Sequence, residues 1–129
     1  MLRWLEKKRK YSIIFLILIA VEIFYFSSKS LAPGPEVFSL LSIIYHFCVF
    51  FLFGFFLIIS LTQKRKIKIK YLLFAVFISV IYAILDELHQ IFVPFRDASL
   101  EDFLTDSAGI FFSAIIYMVS KKNWACLKL

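Results

Sequence analysis

Two short runs place ionisable side chains where the neighbouring sequence is otherwise apolar. The first run is DELHQ, residues 86–90, and the second carries Asp102 and Asp106. A carboxylate one helical turn from an imidazole can orient it as a general base, and a further carboxylate can act as the acid. These residue types therefore suggest acid–base chemistry at a phosphoester or glycosyl bond. The candidate catalytic residues are Asp86, His89, Asp102 and Asp106.

Other polar residues in the same regions are suited to holding a ligand. The planar guanidinium of Arg96 matches phosphate or carboxylate groups, and Gln90 and Ser99 can add hydrogen bonds. Two carboxylates and one histidine within 86–89 do not define a metal site, so we predict no metal, and no cofactor is indicated. The candidate ligand-binding residues are Glu22, His46, Glu87, Gln90, Arg96 and Ser99.

Structural roles are open for the same residues. His46 in an apolar stretch is typical of a hydrogen-bonded packing residue. Asp86 and Asp106 can serve only to hold helices together through His46, His89 or Arg96. Ser99 precedes a helical pattern, where serine is a favoured N-cap residue.

The chain that must position these groups is strongly apolar. Of its 129 residues, 62% are hydrophobic and 19% are charged, and the mean hydropathy is +0.88. Soluble domains contain roughly 45–50% apolar residues, so this composition excludes a soluble enzyme or nucleic-acid-binding module. The net charge of +6 indicates no nucleic-acid partner, because basic clusters in so apolar a chain are typical of a membrane surface.

The apolar residues form four stretches that approach or exceed the roughly 20 residues needed to cross a bilayer. The predicted spans are about 11–28, 37–62, 71–93 and 99–120, all within a single domain of residues 1–129. Turn-forming or basic segments separate them. The sequence therefore predicts an all-α integral membrane protein, a four-transmembrane-helix bundle with membrane lipids as partners.

The distribution of charge predicts the orientation of the bundle. The first ten residues, the 63–70 loop and the tail after residue 120 carry thirteen of the fifteen basic residues. By the positive-inside rule, both termini are cytoplasmic. Alternatively, the first span is a signal peptide cleaved after Ala32, although Glu22 within its apolar stretch argues against this.

Helical periodicity gathers the polar residues of three spans on single faces. Turning these faces together predicts a polar chamber open to the outer surface, with Glu87 pointing about 100° away from its span's polar face. Gly109 and Ser113 form a small-xxx-small pair that permits close helix approach. The three faces comprise Ser39, Ser42 and His46; Ser79, Tyr82, Asp86, His89 and Gln90; and Asp102, Asp106, Gly109, Ser113 and Tyr117.

The segment DELHQIFVPFRDASLEDFLTDSAG, residues 86–109, resembles the signature of the VanZ-like family of small bacterial membrane proteins. Tyr45-His46, Gly54 and Ser27-Ser28 match further features of that family, whereas Asp106 stands where the family often has Asn. The matching positions are Asp86, Glu87, His89, Gln90, Phe92, Pro94, Arg96, Ser99, Asp102 and Gly109.

The resemblance implies a bacterial plasma-membrane protein that acts on or binds a lipid-linked or lipidated cell-envelope molecule. The name-giving member is linked to resistance to teicoplanin, a lipoglycopeptide. The residues leave two other functions open, an intramembrane hydrolase or transferase and a structural or partner subunit. Four spans leave little room for a transporter unless the protein forms an oligomer, and the oligomeric state is left open.

Overall fold

Four long helices account for nearly all of the chain described by the structure, a computed structural model. It describes residues 8–30, 37–62, 69–96 and 98–126, with side chains described over 8–30, 40–62, 69–96 and 98–121. The helices are α1 (Arg9–Ser27), α2 (Val37–Thr62), α3 (Ile69–Gln90) and α4 (Leu100–Cys126). Each is long and apolar enough to cross a membrane, as the four predicted spans require.

The ends of α1 and α3 follow from local hydrogen bonds. The Ser28 hydroxyl and N–H both donate to Phe24 O, which closes α1. After α3, the N–H groups of Phe92 and Val93 bond three residues back, so the helix tightens into turns at Gln90 rather than continuing to Val93. Pro94 explains this early end, because a residue before proline is disfavoured in the α conformation.

The helices run alternately up and down around α2. Helix α2 packs against the other three, most extensively against α4. Phe15 stacks on Phe56, and Phe26 packs edge-on against Tyr45, so α1 and α2 are antiparallel. The core between the helices is apolar and aromatic. Its largest fully buried side chains are Phe50, Ile58, Ile59, Ile110 and Tyr117.

The outer surface of the bundle is also apolar, which is the pattern expected of a bundle solvated by lipid. Large side chains such as Leu18, Val21, Leu73 and Phe77 are exposed. In water, so much exposed apolar surface would be unfavourable, whereas lipid chains are as apolar as leucine. The interior contains small and polar residues because van der Waals packing and interhelical hydrogen bonds then stabilise association.

Helices α2 and α4 approach each other closely at two glycines. A Cβ atom added to Gly109 would lie 2.5 Å from Phe47 O, and one added to Gly54 would lie 2.7 Å from Ser113 Oγ. Both distances are shorter than van der Waals contact. The predicted close approach at Gly109 and Ser113 is therefore confirmed, with Gly54 as its counterpart on α2.

The two ends of the bundle differ in chemistry. The basic end contains the starts of α1 and α3 and the ends of α2 and α4, with Lys8, Lys70 and Lys121. There, Thr62 Oγ1 donates to Ile58 O, and Tyr117 OH lies 2.6 Å from the same Oγ1 and donates to it. The opposite end, called the acidic end below, contains the last turn of α3 and the first two turns of α4.

Candidate functional site

A histidine and two carboxylates from three different helices meet inside the acidic end. His46 of α2, Glu87 of α3 and Asp106 of α4 each offer one potential ligand atom, and these atoms lie within 4.8 Å of one another. His46 Nδ1 and Asp106 Oδ1 are 2.9 Å apart. The three residues are 5%, 7% and 0% exposed, so the cluster is enclosed by protein.

The position of each group along its helix explains why they meet. Asp106 lies six residues into α4, about 9 Å from its first residue at 1.5 Å per residue. Glu87 lies in the last turn of α3, which runs in the opposite direction. The end of α3 and the start of α4 lie at the same end of the bundle, so Glu87 and Asp106 lie at a similar level along the bundle axis. His46 of α2 lies at this level too.

Glu87 also organises the start of α4. Its Oε2 accepts a hydrogen bond of 2.8 Å from Ser99 N–H, and Ser99 Oγ accepts one of 3.3 Å from Asp102 N–H. Ser99 is thus the N-cap residue that the sequence predicts. In a capping box the residue at position 102 would accept the Ser99 N–H, but here Glu87 of the neighbouring helix does so.

A second polar group lies between α3 and the end of α1. Gln90 Nε2 donates to Asp86 Oδ2 over 3.0 Å. The buried Ser27 hydroxyl lies beside the same carboxylate, although it makes no hydrogen bond with a described residue. Tyr45, half-buried on α2, lies within electrostatic range of both Asp86 and Asp106.

Several buried polar atoms at the acidic end have no hydrogen-bond partner among the described residues. Such atoms are costly in a membrane protein, because no water in the bilayer core can satisfy them. Five such atoms gather at the acidic end. They are Ser27 Oγ, Tyr45 OH, Glu87 Oε1, Gln90 Oε1 and Asp106 Oδ2.

The histidines are paired differently from the prediction. Asp86 bonds to Gln90 rather than orienting His89. His89 Nε2 lies 3.0 Å from Ser28 Oγ, and its ring stacks on Phe24 with centroids 4.9 Å apart. The prediction of an Asp86–His89 pair is therefore wrong, because the imidazole turns towards α1. The histidine–carboxylate pair of this structure is His46 with Asp106.

Four predicted ligand-binding residues lie outside the cluster: Gln90 and Ser99, whose hydrogen bonds are given above, and Glu22 and Arg96. Glu22 is exposed on α1. Arg96, half-buried, donates from Nε to Lys29 O over 3.3 Å and from Nη2 to Phe26 O over 3.2 Å. Its guanidinium thus caps the carboxyl end of α1 and lies at the rim of the site, within electrostatic range of Tyr45. Asp102 is half-buried in the first turn of α4, also at this rim.

Sequence reasoning missed Ser27 and Tyr45 as members of the site, and it placed Glu87 off the polar face. The signal for Tyr45 was its position next to His46. Glu87 was misplaced because α3 contacts all three other helices. Asp86 lies beside Ser27 of α1, whereas Glu87 accepts a hydrogen bond from Ser99 at the start of α4. A single polar face per helix is therefore too simple here.

These observations define a class of protein, a four-helix membrane bundle with a buried histidine–carboxylate site near one end. The VanZ/LLP1 family model matches residues 11–121, which covers most of the chain and all four helices. The chain belongs to the VanZ/LLP1 family. No curated protein and no solved structure matches it.

Proposed function

We propose that this VanZ-family protein lies in the bacterial plasma membrane with its acidic end outward and binds the headgroup of a lipid-linked or lipidated envelope molecule there. The orientation rests on the basic residues. Thirteen of the fifteen basic residues lie in the first ten residues, the 63–70 loop and the tail after residue 120. The positive-inside rule predicts that these three segments are cytoplasmic. The site would then lie nearer the outer leaflet than the inner one.

The observation that carries the proposal is the set of unpartnered buried polar atoms at the acidic end. Carboxylate and amide oxygens such as Glu87 Oε1 and Gln90 Oε1 accept hydrogen bonds. A headgroup rich in hydroxyl or amine groups, such as a sugar, supplies matching donors. Binding it would offset the cost of leaving these acceptors unpaired.

Arg96 supplies the complementary charge at the rim. Its hydrogen bonds to Phe26 O and Lys29 O use Nε and Nη2, and the guanidinium carries five N–H donors in all. The remaining donors suit a phosphate or carboxylate next to the sugar. A sugar carried on a lipid phosphate, or a lipoglycopeptide, combines both chemistries with an apolar tail that the exposed apolar helix faces can accommodate.

The test uses Tyr45→Phe, which removes a hydroxyl that has no described hydrogen-bond partner and so leaves the fold intact. The purified chain in lipid nanodiscs is titrated with teicoplanin and with a polyprenyl-phosphate-linked sugar. We expect Tyr45→Phe to weaken binding by about 2- to 10-fold, the effect of one hydrogen bond.

Tyr71→Phe is the matched control, because Tyr71 is an exposed tyrosine at the basic end. It should bind both probes as the unmodified chain does. Equal affinities for the unmodified chain and Tyr45→Phe, or no saturable binding of either probe, would contradict the proposal. Vancomycin, a glycopeptide without the lipid tail, tests whether the tail is needed.

A second function, an intramembrane hydrolase or transferase on the same class of molecule, is favoured by one observation. The buried pair of His46 and Asp106 has the arrangement in which a carboxylate orients an imidazole for proton transfer. In that case the nanodisc experiment would yield products of altered mass as well as binding. Substitution of His46 separates the two functions, as argued below.

A further inference from the structure

We propose that His46, Glu87 and Asp106 form a binding site for one divalent transition-metal ion, with Zn²⁺ the best match. The proposal stands on the geometry of this cluster and does not depend on the proposed function. It also goes beyond the sequence, which indicates no metal because DELHQ by itself has no specific ligand geometry.

The three side chains are spaced like ligands. Their potential ligand atoms lie within 4.8 Å of one another. Zn²⁺ binds nitrogen and oxygen at about 2.0–2.2 Å, so two ligands of a tetrahedral zinc ion lie about 3.4 Å apart. The widest pair in the cluster must close by up to about 1.4 Å, which rotations of the side chains can provide.

Each carboxylate has one oxygen fixed and one oxygen without a partner. Glu87 Oε2 is held by Ser99 N–H, and Asp106 Oδ1 by the imidazole of His46. Glu87 Oε1 and Asp106 Oδ2 have no hydrogen-bond partner among the described residues, although both side chains are more than nine-tenths buried. The hydrogen bond from Ser99 N–H to Glu87 is of the kind that orients ligands in built metal sites.

The charge of the cluster also favours a cation. The only ion pair that these two carboxylates make with a described residue is the one between Asp106 and His46. Two carboxylates buried within a membrane bundle are costly unless they are paired or coordinate a metal. A divalent ion would neutralise both and bind together three helices that contribute one ligand each.

The donor set selects the kind of metal. Mg²⁺ and Ca²⁺ are bound through oxygen, whereas an imidazole nitrogen with two carboxylates suits Zn²⁺ or Mn²⁺. Cys48 is exposed and outside the cluster, so a site for soft, thiolate-bound metals is not favoured. Three protein ligands leave a fourth position open, as in zinc sites that bind a water or a substrate.

The first experiment measures zinc bound to the chain, which is purified without a polyhistidine tag. After treatment with a chelator, the protein is equilibrated with Zn²⁺ against a chromophoric competitor, and metal content is measured by mass spectrometry. We expect one Zn²⁺ per chain, with affinity reduced at least about 10-fold in both Glu87→Gln and Asp106→Asn. Each substitution keeps a carbonyl oxygen, which still accepts from Ser99 N–H or His46.

Glu101→Gln is the control, since Glu101 is an exposed acid in the first turn of α4. It should bind zinc like the unmodified chain. No stoichiometric zinc in the unmodified chain, or unchanged affinity in both cluster variants, would overturn the proposal. Circular dichroism and size-exclusion chromatography establish that the variants retain the helical bundle.

A second measurement needs no cluster variant to fold. X-ray absorption at the zinc edge of the unmodified chain should show one imidazole among oxygen ligands, and the same signature should persist in His89→Gln. The chain has only two histidines, so that result assigns His46. An oxygen-only shell would contradict the site. If the chain bound zinc but neither teicoplanin nor the lipid-linked sugar, only the proposed function would be overturned. If it bound either of these molecules but no zinc, only the metal site would be overturned.

Discussion

Glu87 shows how one side chain connects two parts of the molecule. Its Oε2 satisfies the N–H of Ser99 at the start of α4, and its other oxygen enters the cluster with His46 and Asp106. Asp102 is one methylene shorter than the glutamate usual at its position in a capping box, and Glu87 supplies the acceptor from outside the helix. The start of α4 and the site are thus coupled through one carboxylate.

The two histidines give a prediction at the residue scale. His46 contacts Asp106 within the cluster, whereas His89 contacts Ser28 and Phe24 of α1. We expect His46→Gln to weaken binding of teicoplanin and the lipid-linked sugar by about 10-fold, because it removes the charge-assisted hydrogen bond that holds Asp106 in the cluster. In His89→Gln, binding should change by less than about 2-fold, because His89 contacts Ser28 and Phe24 of α1 and is not part of the cluster.

The same titration discriminates binding from catalysis. Probe molecules recovered from the unmodified chain with unchanged mass support a binding role. Products that form with the unmodified chain and disappear in His46→Gln, while binding remains, support the enzyme. If His46→Gln and His89→Gln changed the affinity for the probes equally, the prediction that His46 has a special role in the site would be contradicted.

At the scale of helices, the contact between α2 and α4 is set by two glycines of unequal importance. A Cβ at Gly109 would meet the backbone of α2 at Phe47 O, which cannot move without moving the helix. A Cβ at Gly54 would meet only Ser113 Oγ, which can rotate, although that hydroxyl now donates to Ile110 O. His46 lies eight residues before Gly54, and Asp106 lies three residues before Gly109. Close packing of α2 and α4 at the two glycines therefore helps to bring His46 and Asp106 within hydrogen-bonding distance.

This difference predicts an order of stabilities. Gly109→Ala should destabilise the bundle by about 1–3 kcal/mol, the usual cost of overpacking, and Gly54→Ala by less. The measurement is thermal unfolding in detergent, followed by circular dichroism. Ala108→Leu, at an exposed neighbouring position, serves as the control and should unfold like the unmodified chain. A Gly54→Ala protein less stable than Gly109→Ala would contradict the assignment of α2 backbone as the obstacle.

For the whole molecule, function depends on which end faces outward. The acidic end carries the site, and its turn exposes Phe92 and Phe95, 83% and 80% exposed, beside Arg96. Phe95 has a backbone φ of 63°, which is uncommon for a residue other than glycine. Exposed phenylalanine rings at this end offer apolar surface to lipid acyl chains.

Orientation is tested by cysteine labelling in cells, with Cys48 and Cys126 replaced by alanine. Lys29→Cys and Phe95→Cys should react with a membrane-impermeant maleimide from outside, because both lie at the acidic end. Lys8→Cys and Lys70→Cys should react only after permeabilisation, as the positive-inside rule requires. If position 95 reacted only from the cytoplasm, the orientation would be the reverse of the predicted one, and the site could not lie in the outer leaflet.

The sequence by itself determined the number, type and approximate limits of the helices. This is because a bilayer requires runs of apolar residues that satisfy their own backbone, and such runs are visible without any partner. Span 37–62 matches α2 at both ends, whereas α3 ends at Gln90, three residues before its predicted limit. Serine at the N-cap and the small residues Gly109 and Ser113 were likewise visible, since their roles depend on local spacing.

Only the tertiary structure decided which polar residues meet. Periodicity assigns each residue a direction around its own helix, but not the partner helix in that direction. His46 and Asp106 are sixty residues apart and pair only because α2 and α4 run parallel in close contact. Glu87 joins them because α3 also packs against α4. The ring of His89 contacts Ser28 and Phe24 because α1 packs against the same end of α3. The chemistry of the site is therefore a property of helix packing.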